Sequence, residues 1–260
     1  MPPHFTRALT RTPAKTLADG LTTQHLGKPD HALVMEQYAG YLDALHQCGL
    51  EVVTLPADDA FPDSCFIEDT AILYRDLVVI TQPGAPSRRG ETAAVEAALR
   101  RLCPDKAFVC IDGEARLDGG DVLMCADRVL IGLSARTNCE GAEQLQQALQ
   151  SYESSLKVDC LPFTGVLHLK SGLTELAPGV LLLSPQLKTD YRFVFAEVVQ
   201  LPLAESYAAD VLPINDAVII PAGYPTVLHH AQRHYTHIFE LTMSEFQKMD
   251  GGLTCLSLLF

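Results

Sequence analysis

Ala71-Ile-Leu-Tyr-Arg-Asp-Leu-Val-Val-Ile-Thr81 reads as a strand, a tight turn at Asp76 and a second strand. Two apolar runs flank a short charged pair, the pattern of a hairpin. Behind it, from Glu91, the residues Val95, Ala98, Leu99 and Leu102 recur at helical spacing on one face. The same order returns further on. Val122-Leu-Met-Cys-Ala-Asp-Arg-Val-Leu-Ile-Gly132 is a second hairpin, turning at Asp127, 51 residues after the first turn. Ser134-Ala-Arg-Thr-Asn138 then leads into a helix carrying Ala142, Leu145 and Leu149. Two more hairpins lie at Leu173–Leu183, turning at Pro178-Gly179, and at Val211–Ile220, turning at Asn215-Asp216.

A short strand closes each unit: Glu51–Pro56, Ala107–Ile111, Lys157–Pro162, Ala196–Pro202 and His237–Leu241. This makes five copies of a hairpin–helix–strand unit. The unit of the first helix, His31–Cys48 behind Asp30, is completed by both chain ends, through Phe5–Leu9 and Thr254–Leu259. Radial repetition of small α/β units protects sheet edges as propellers do. The expected fold is therefore α/β, a five-bladed propeller of five pseudo-repeats around a central site. A plain α/β sandwich with repetitive hairpins is the alternative. No linker or low-complexity stretch divides the chain, so residues 1–260 are expected to form one domain.

With 19 Lys+Arg against 32 Asp+Glu, the formal net charge is −13, which argues against nucleic acid and against anionic membranes as partners. None of the eight cysteines forms a C-x-x-C or zinc-finger spacing with histidine. Met1-Pro-Pro-His-Phe5 lacks the features of a leader, and no apolar run reaches the ~18 residues of a membrane span. A cytoplasmic protein with reduced thiols is expected.

Polar residues gather where one unit hands over to the next, in Phe61–Asp69, Leu117–Asp121, Leu167–Gly172, Ser206–Asp210 and Asp250–Cys255. Each segment stands just before the first strand of a hairpin, which a radial fold places near its axis. Glu68, Asp69, Asp118, His168 and Cys255 are thereby brought towards one cavity. Taken singly, each has a plain structural explanation: a buried small thiol, a hydrogen-bonded histidine, a solvated acidic turn, hairpin glycines. Yet carboxylates on apolar strand flanks, as in Phe66-Ile-Glu-Asp69, are costly to bury unless a cation meets them. A planar guanidinium with five donors uses several carboxylates well, and a hard metal ion is the rival.

These segments, together with Arg11-Thr-Pro13, Leu17-Ala-Asp-Gly-Leu-Thr22, Ser87-Arg-Arg-Gly-Glu91, Gly132-Leu-Ser-Ala-Arg-Thr-Asn138 and Pro221-Ala-Gly-Tyr-Pro225, make the whole chain resemble the dimethylarginine dimethylaminohydrolases. That family belongs to the pentein superfamily of guanidine-modifying enzymes, whose fold is a five-bladed αβ propeller. The resemblance implies hydrolysis of Nω-methylated L-arginine to citrulline and a methylamine through a covalent thiouronium on cysteine. It implies Cys255 as nucleophile, His168 as general acid and base, and Asp118 as the carboxylate supporting His168. It implies Glu68, Asp69 and Asp250 around the guanidinium, and Asp63 with the carbonyl of Leu21 at the α-amine. Arg88 and Arg136 are then expected at the α-carboxylate, Met249 in backbone contact, and Leu17–Thr22 as a mobile lid. No metal and no organic cofactor are implied, and the expected partner is a small molecule, with a homodimer compatible. The alternatives are an arginine deiminase or dihydrolase-like pentein acting on unmethylated arginine, and a non-catalytic pseudo-enzyme that binds methylarginine.

Overall fold

Five sheets of three strands form, each with the same internal order, and they account for the repeat. The computed structural model describes residues 4–260; Met1–Pro3, part of the stretch read for a leader, lie outside the described residues. The first sheet is assembled from both ends of the chain. Its centre is β1 (Arg7–Arg11), and after helix α1 (His31–Gln47) the outer strand β2 (Glu51–Leu55) pairs parallel to it. The second sheet joins the hairpin β3 (Ala71–Tyr74) and β4 (Leu77–Ile80), then α2 (Thr92–Leu102) and the parallel strand β5 (Ala107–Cys110). The third repeats this with β6 (Val122–Met124), β7 (Arg128–Leu133), α3 (Cys139–Tyr152) and β8 (Lys157–Pro162). The fourth contains β9 (Leu173–Ala177), β10 (Val180–Leu183) and β11 (Glu197–Gln200). The fifth contains β12 (Leu212–Ile214), β13 (Ala217–Pro221), α4 (Pro225–Ala231) and β14 (His237–Leu241). After the short α5 (Ser244–Gln247), β15 (Ser257–Leu259) returns antiparallel to β1 and closes the ring.

The ring has five wedge-shaped cores, one between each pair of neighbouring sheets. Val78 and Ile80 face the first sheet beside Leu9 and Leu258, while Leu77 and Val79 face the third beside Val129 and Ile131. The remaining three wedges join sheets three to four, four to five and five to one in the same way. A central strand is thus buried on both faces, which is why Leu77-Val-Val-Ile80 and Ala217-Val-Ile-Ile220 are continuous apolar runs and do not alternate. Each such side chain contributes roughly 1.5–3 kcal/mol of transfer free energy. The helices cap well where the sequence supplies a cap: Asp30 accepts from Ala32 N and Leu33 N, and Asn138 from Gly141 N.

One expectation needs correction. The fourth unit has no helix: residues 184–196 run without one from β10 to β11. Tyr191, Phe193 and Phe195 are half-buried and pack on the wedge between sheets three and four, while their neighbours face solvent. That is a period of two, which a helix of 3.6 residues per turn cannot match.

The segments ahead of the inner strands turn in tight 3-10 bends, at Ile67–Thr70, Gly119–Asp121 and Thr254–Leu256. These bends carry or adjoin Glu68, Asp69, Asp118 and Cys255. The inner strands themselves line a chamber of about 1140 Å³, to which Glu68, Lys170 and Thr254 also contribute.

Candidate active site

A narrow pocket gathers residues from across the whole chain: Leu21, Asp63, Phe66, Asp69, Arg88, Arg136, Leu167, His168, Met249, Asp250, Gly251 and Cys255. Cys255 sits in the 3-10 bend before β15, 8% exposed, with Gly252 N donating to its sulfur at 3.4 Å. Burial, and then the charges of Glu68, Asp210 and Asp69, push its thiol well above the ordinary value. The resting sulfur is therefore a thiol, and a cation placed beside it favours the thiolate.

His168 is 4% exposed, and its Nε2 lies 2.9 Å from Asp118 Oδ2 and 3.8 Å from Asp69 Oδ1. Burial alone lowers its pKa. Asp69, the hydrogen bond to Asp118 and the charges of Asp121 and Asp118 outweigh that and raise it to about 9. Asp118 is fully buried and meets His168 directly, while its Oδ1 accepts from Gly84 N at 2.7 Å. Behind this pair, Asp121 accepts from Leu169 N at 2.9 Å and from Ser134 Oγ at 2.7 Å, which fixes the backbone beside His168. Gly120 is required here because a Cβ would sit 2.6 Å from His168 Nδ1.

The acids divide into two sets. Asp69 accepts from Gly120 N at 2.9 Å and from Arg88 Nη1, and although burial works against its charge, His168 and Arg88 hold its carboxyl well below the usual range. Glu68 does not line the pocket. It pairs with Lys170 and accepts from Thr254 Oγ1 at 3.0 Å, and burial raises its pKa despite Lys170. Asp63 accepts twice from Leu21 N, at 3.0 and 3.2 Å, and its pKa is also raised by burial. Met249 is 4% exposed and is part of the wedge between sheets five and one as well as of the pocket wall.

Two residues of the pocket lining already have protein partners. Arg88, expected at a substrate carboxylate, is enclosed in protein: it donates to both oxygens of Glu91, to Asp69, and to the carbonyls of Phe66 at 2.8 Å and Asp63 at 3.3 Å. Arg136 is the freer guanidinium, with Asp118 at 3.5 Å as its one hydrogen-bond partner among the described residues. Asp250, expected at the guanidinium, has both oxygens occupied by Thr22 Oγ1, Thr23 N, Thr23 Oγ1 and Gln24 Nε2. Its backbone is left-handed, φ 58°. It thus ties down the segment that follows the Leu17–Thr22 stretch.

Sequence reasoning assigned no role to Glu91, Asp121, Lys170 or Asp210. All four stand within the quoted segments, and two of them, Asp121 and Asp210, are acids on apolar flanks, the signal that singles out Glu68. Asp69, Asp118 and His168 each offer an atom within 4.8 Å of the others, the spacing of a metal site. Arg88 and Arg136 already contact those two carboxylates, and a metal ion would have to displace or tolerate two guanidinium charges. The donor set fits a guanidinium better than a metal.

Residues 55–199 match the family model described as arginine deiminase. A curated relative from Pseudomonas aeruginosa, an N(G),N(G)-dimethylarginine dimethylaminohydrolase, is 41% identical over 98% of this chain and 100% of its own. A solved structure of that organism's enzyme, a cysteine-to-serine mutant with citrulline, superposes with a TM-score of 0.91 at 39% identity, covering 99% of this chain and 100% of the other. A histidine-to-glycine variant of a dimethylarginine dimethylaminohydrolase, as an adduct with S-methyl-L-thiocitrulline, superposes with a TM-score of 0.90 at 40% identity over 98% and 100%.

Proposed function

This chain belongs to the dimethylarginine dimethylaminohydrolase family, and on that premise we propose that it hydrolyses Nω-methylated L-arginine to L-citrulline and a methylamine. The observation that carries the reading is a buried His168–Asp118 pair opening on the same pocket as Cys255, with Asp69 beside it.

A guanidinium carbon is a poor electrophile, because resonance spreads its charge over three nitrogens. It needs a strong nucleophile and a leaving amine that is protonated as it departs. Substrate binding brings a cation to the raised Cys255 thiol, which releases its proton to solvent. The thiolate attacks the guanidinium carbon and forms the C–S bond. His168, an imidazolium below about pH 9, gives its proton to the methylated nitrogen. The C–N bond breaks, the amine leaves and a thiouronium remains on Cys255. The neutral imidazole then takes a proton from water, which adds to the same carbon. Collapse expels the thiolate and releases citrulline. Asp118 holds the ring in place and stabilises its charge throughout, and Asp69 supplies negative charge beside the guanidinium plane.

Asp63 with the Leu21 backbone at one end, and Arg136 at another, suit the α-amine and α-carboxylate of a free amino acid. Arg88 acts here through Asp69. The substrate is a small molecule, and no described helix is long and apolar enough to cross a membrane. The test is citrulline release from dimethylarginine and from arginine, with Cys255→Ser as control. The reading requires dimethylarginine to be the better substrate by kcat/KM and the variant to keep less than a few per cent of the rate. Preference for arginine would reassign the protein as a deiminase.

A further inference from the structure

Asp210 ends the bend Leu203–Ala209 and is 4% exposed, yet the mechanism above does not use it. It lies beneath the turn that presents Cys255. Its Oδ1 accepts from Thr254 N at 3.3 Å, and its Oδ2 is 3.4 Å from Thr254 Oγ1. The close fit explains Gly252: a Cβ there would come within 1.7 Å of Asp210 Oδ2. The same turn is held at two further points. Tyr207 Oη donates to Gly251 O at 2.9 Å and Tyr41 Oη to Leu253 O at 3.0 Å.

The Thr254 hydroxyl has one proton and two carboxylates in reach. Glu68 Oε2 is the nearer, at 3.0 Å, and Lys170 pairs with the other oxygen of that carboxylate, so Glu68 takes that proton. Asp210 Oδ2 then faces an oxygen lone pair. Two acceptors at 3.4 Å in a buried site repel unless one carries a proton. We infer that Asp210 is a positioning residue for Cys255: a neutral carboxylic acid that donates to Thr254 Oγ1, accepts from Thr254 N, and so seats the nucleophile's turn without adding a negative charge beneath it.

The resulting chain runs from Asp210 to Thr254 to Glu68, with Lys170 on its far side. Burial, then Glu68, push the Asp210 carboxyl up to about 7, against the opposing pull of Lys170 and Thr254. The charged and titratable groups around Cys255 and Asp210 are Glu68 and Asp69 from one bend, Lys170 and His168 from another, and Tyr207 and Tyr41 from the elements beneath. An ionised Asp210 is among the charges that raise the Cys255 thiol. A neutral one spares the thiolate that cost.

The inference rests on Cys255 being the nucleophile. Its test compares wild type, Asp210→Asn and Asp210→Ala. Alkylation of Cys255 by iodoacetamide is followed across pH by peptide mass mapping, beside steady-state turnover. Asp210→Ala should lose roughly ten- to a hundredfold in kcat with KM within about threefold, since two hydrogen bonds to the turn vanish. Asparagine keeps one acceptor and one donor and should recover most of the loss. Its alkylation curve should follow that of wild type below about pH 7, where position 210 is neutral in both, and run roughly three- to tenfold faster only well above it, where wild type alone gains a charge. Asp210→Asn as slow as Asp210→Ala, or a Cys255 in Asp210→Asn that is alkylated several-fold faster than in wild type already at pH 6, where a neutral Asp210 requires equal rates, overturns the inference. Full activity of Cys255→Ser would sink the nucleophile assignment instead, while alkylation would still read the coupling of Asp210 to the thiol.

Discussion

Replacing Asp118 by asparagine removes one charge from a fully buried site and leaves the shape unchanged. In the wild type, His168 is raised to about 9 against burial, by Asp69, by the hydrogen bond to Asp118, and by the charges of Asp121 and Asp118. A hydrogen bond between charged partners is worth ~1.5–3 kcal/mol, which corresponds to about one to two pKa units. The His168 pKa in the variant should then fall to about 7–8. In the proposed mechanism His168 must be protonated to expel the amine, so its loss of the proton would set the alkaline limb of kcat/KM. That limb should move down by the same one to two units, with roughly a tenfold loss at about pH 8.5 and less than about twofold at pH 6.5. Stability should follow. A histidine raised on folding from 6.5 to about 9 stabilises the fold fully below 6.5, by about 3 kcal/mol, and that contribution fades as pH rises through about 9. The variant should therefore melt lower than wild type at pH 6, and the gap should narrow towards pH 9.5. One further loss concerns hydrogen bonding. Asparagine has a single carbonyl where Asp118 offers two oxygens to Gly84 N, His168 Nε2 and Arg136 Nη1, so a buried donor goes unmet. The assays are citrulline release from pH 5.5 to 10 and NMR titration of His168 in a Cys255→Ser background. An alkaline limb that stays near 9 with a lowered His168 titration would show that another group carries the proton. An unmoved titration would refute the electrostatic argument itself.

Arg136→Ala should lower kcat/KM for dimethylarginine by roughly ten- to a hundredfold, and change little for a methylated agmatine that lacks the carboxylate; equal losses on both would make Arg136 structural. Asp250→Ala releases four donors from residues 22–24, so hydrogen exchange across that segment should speed up and KM should rise, and unchanged exchange would show that other contacts hold it. Gly252→Ala drives a methyl into Asp210 and should drop turnover to near background with a lowered Tm; an active, equally stable variant would mean that the turn relaxes freely.

The hairpins were legible in the sequence because their signals are local. Arg75-Asp76, Pro178-Gly179 and Asn215-Asp216 mark turns, and Arg75, Gly179 and Asn215 adopt the left-handed backbone that such turns need. The continuous apolar runs of β4, β10 and β13 declared strands buried on both faces. The repeat register then pointed to the five handover segments, so the neighbourhood of Cys255, His168 and Asp118 could be named before any coordinates. Residues 184–196 escaped that logic because the repeat led to a helix, while the alternation of Tyr191, Phe193 and Phe195 answers to a wedge contributed by another sheet.

What tertiary structure alone decided is pairing. The sequence shows that Asp69, Glu68, Asp210 and Asp250 are acids on apolar flanks. It cannot say that Arg88 is consumed by Asp69 and Glu91, or that Asp250 meets residues 22–24 more than 220 positions away. A carboxylate looks the same in sequence whether it binds substrate, neutralises a neighbour or carries a proton. Burial and the identity of the nearest donor decide among these, and both are set by how the five sheets close around the axis.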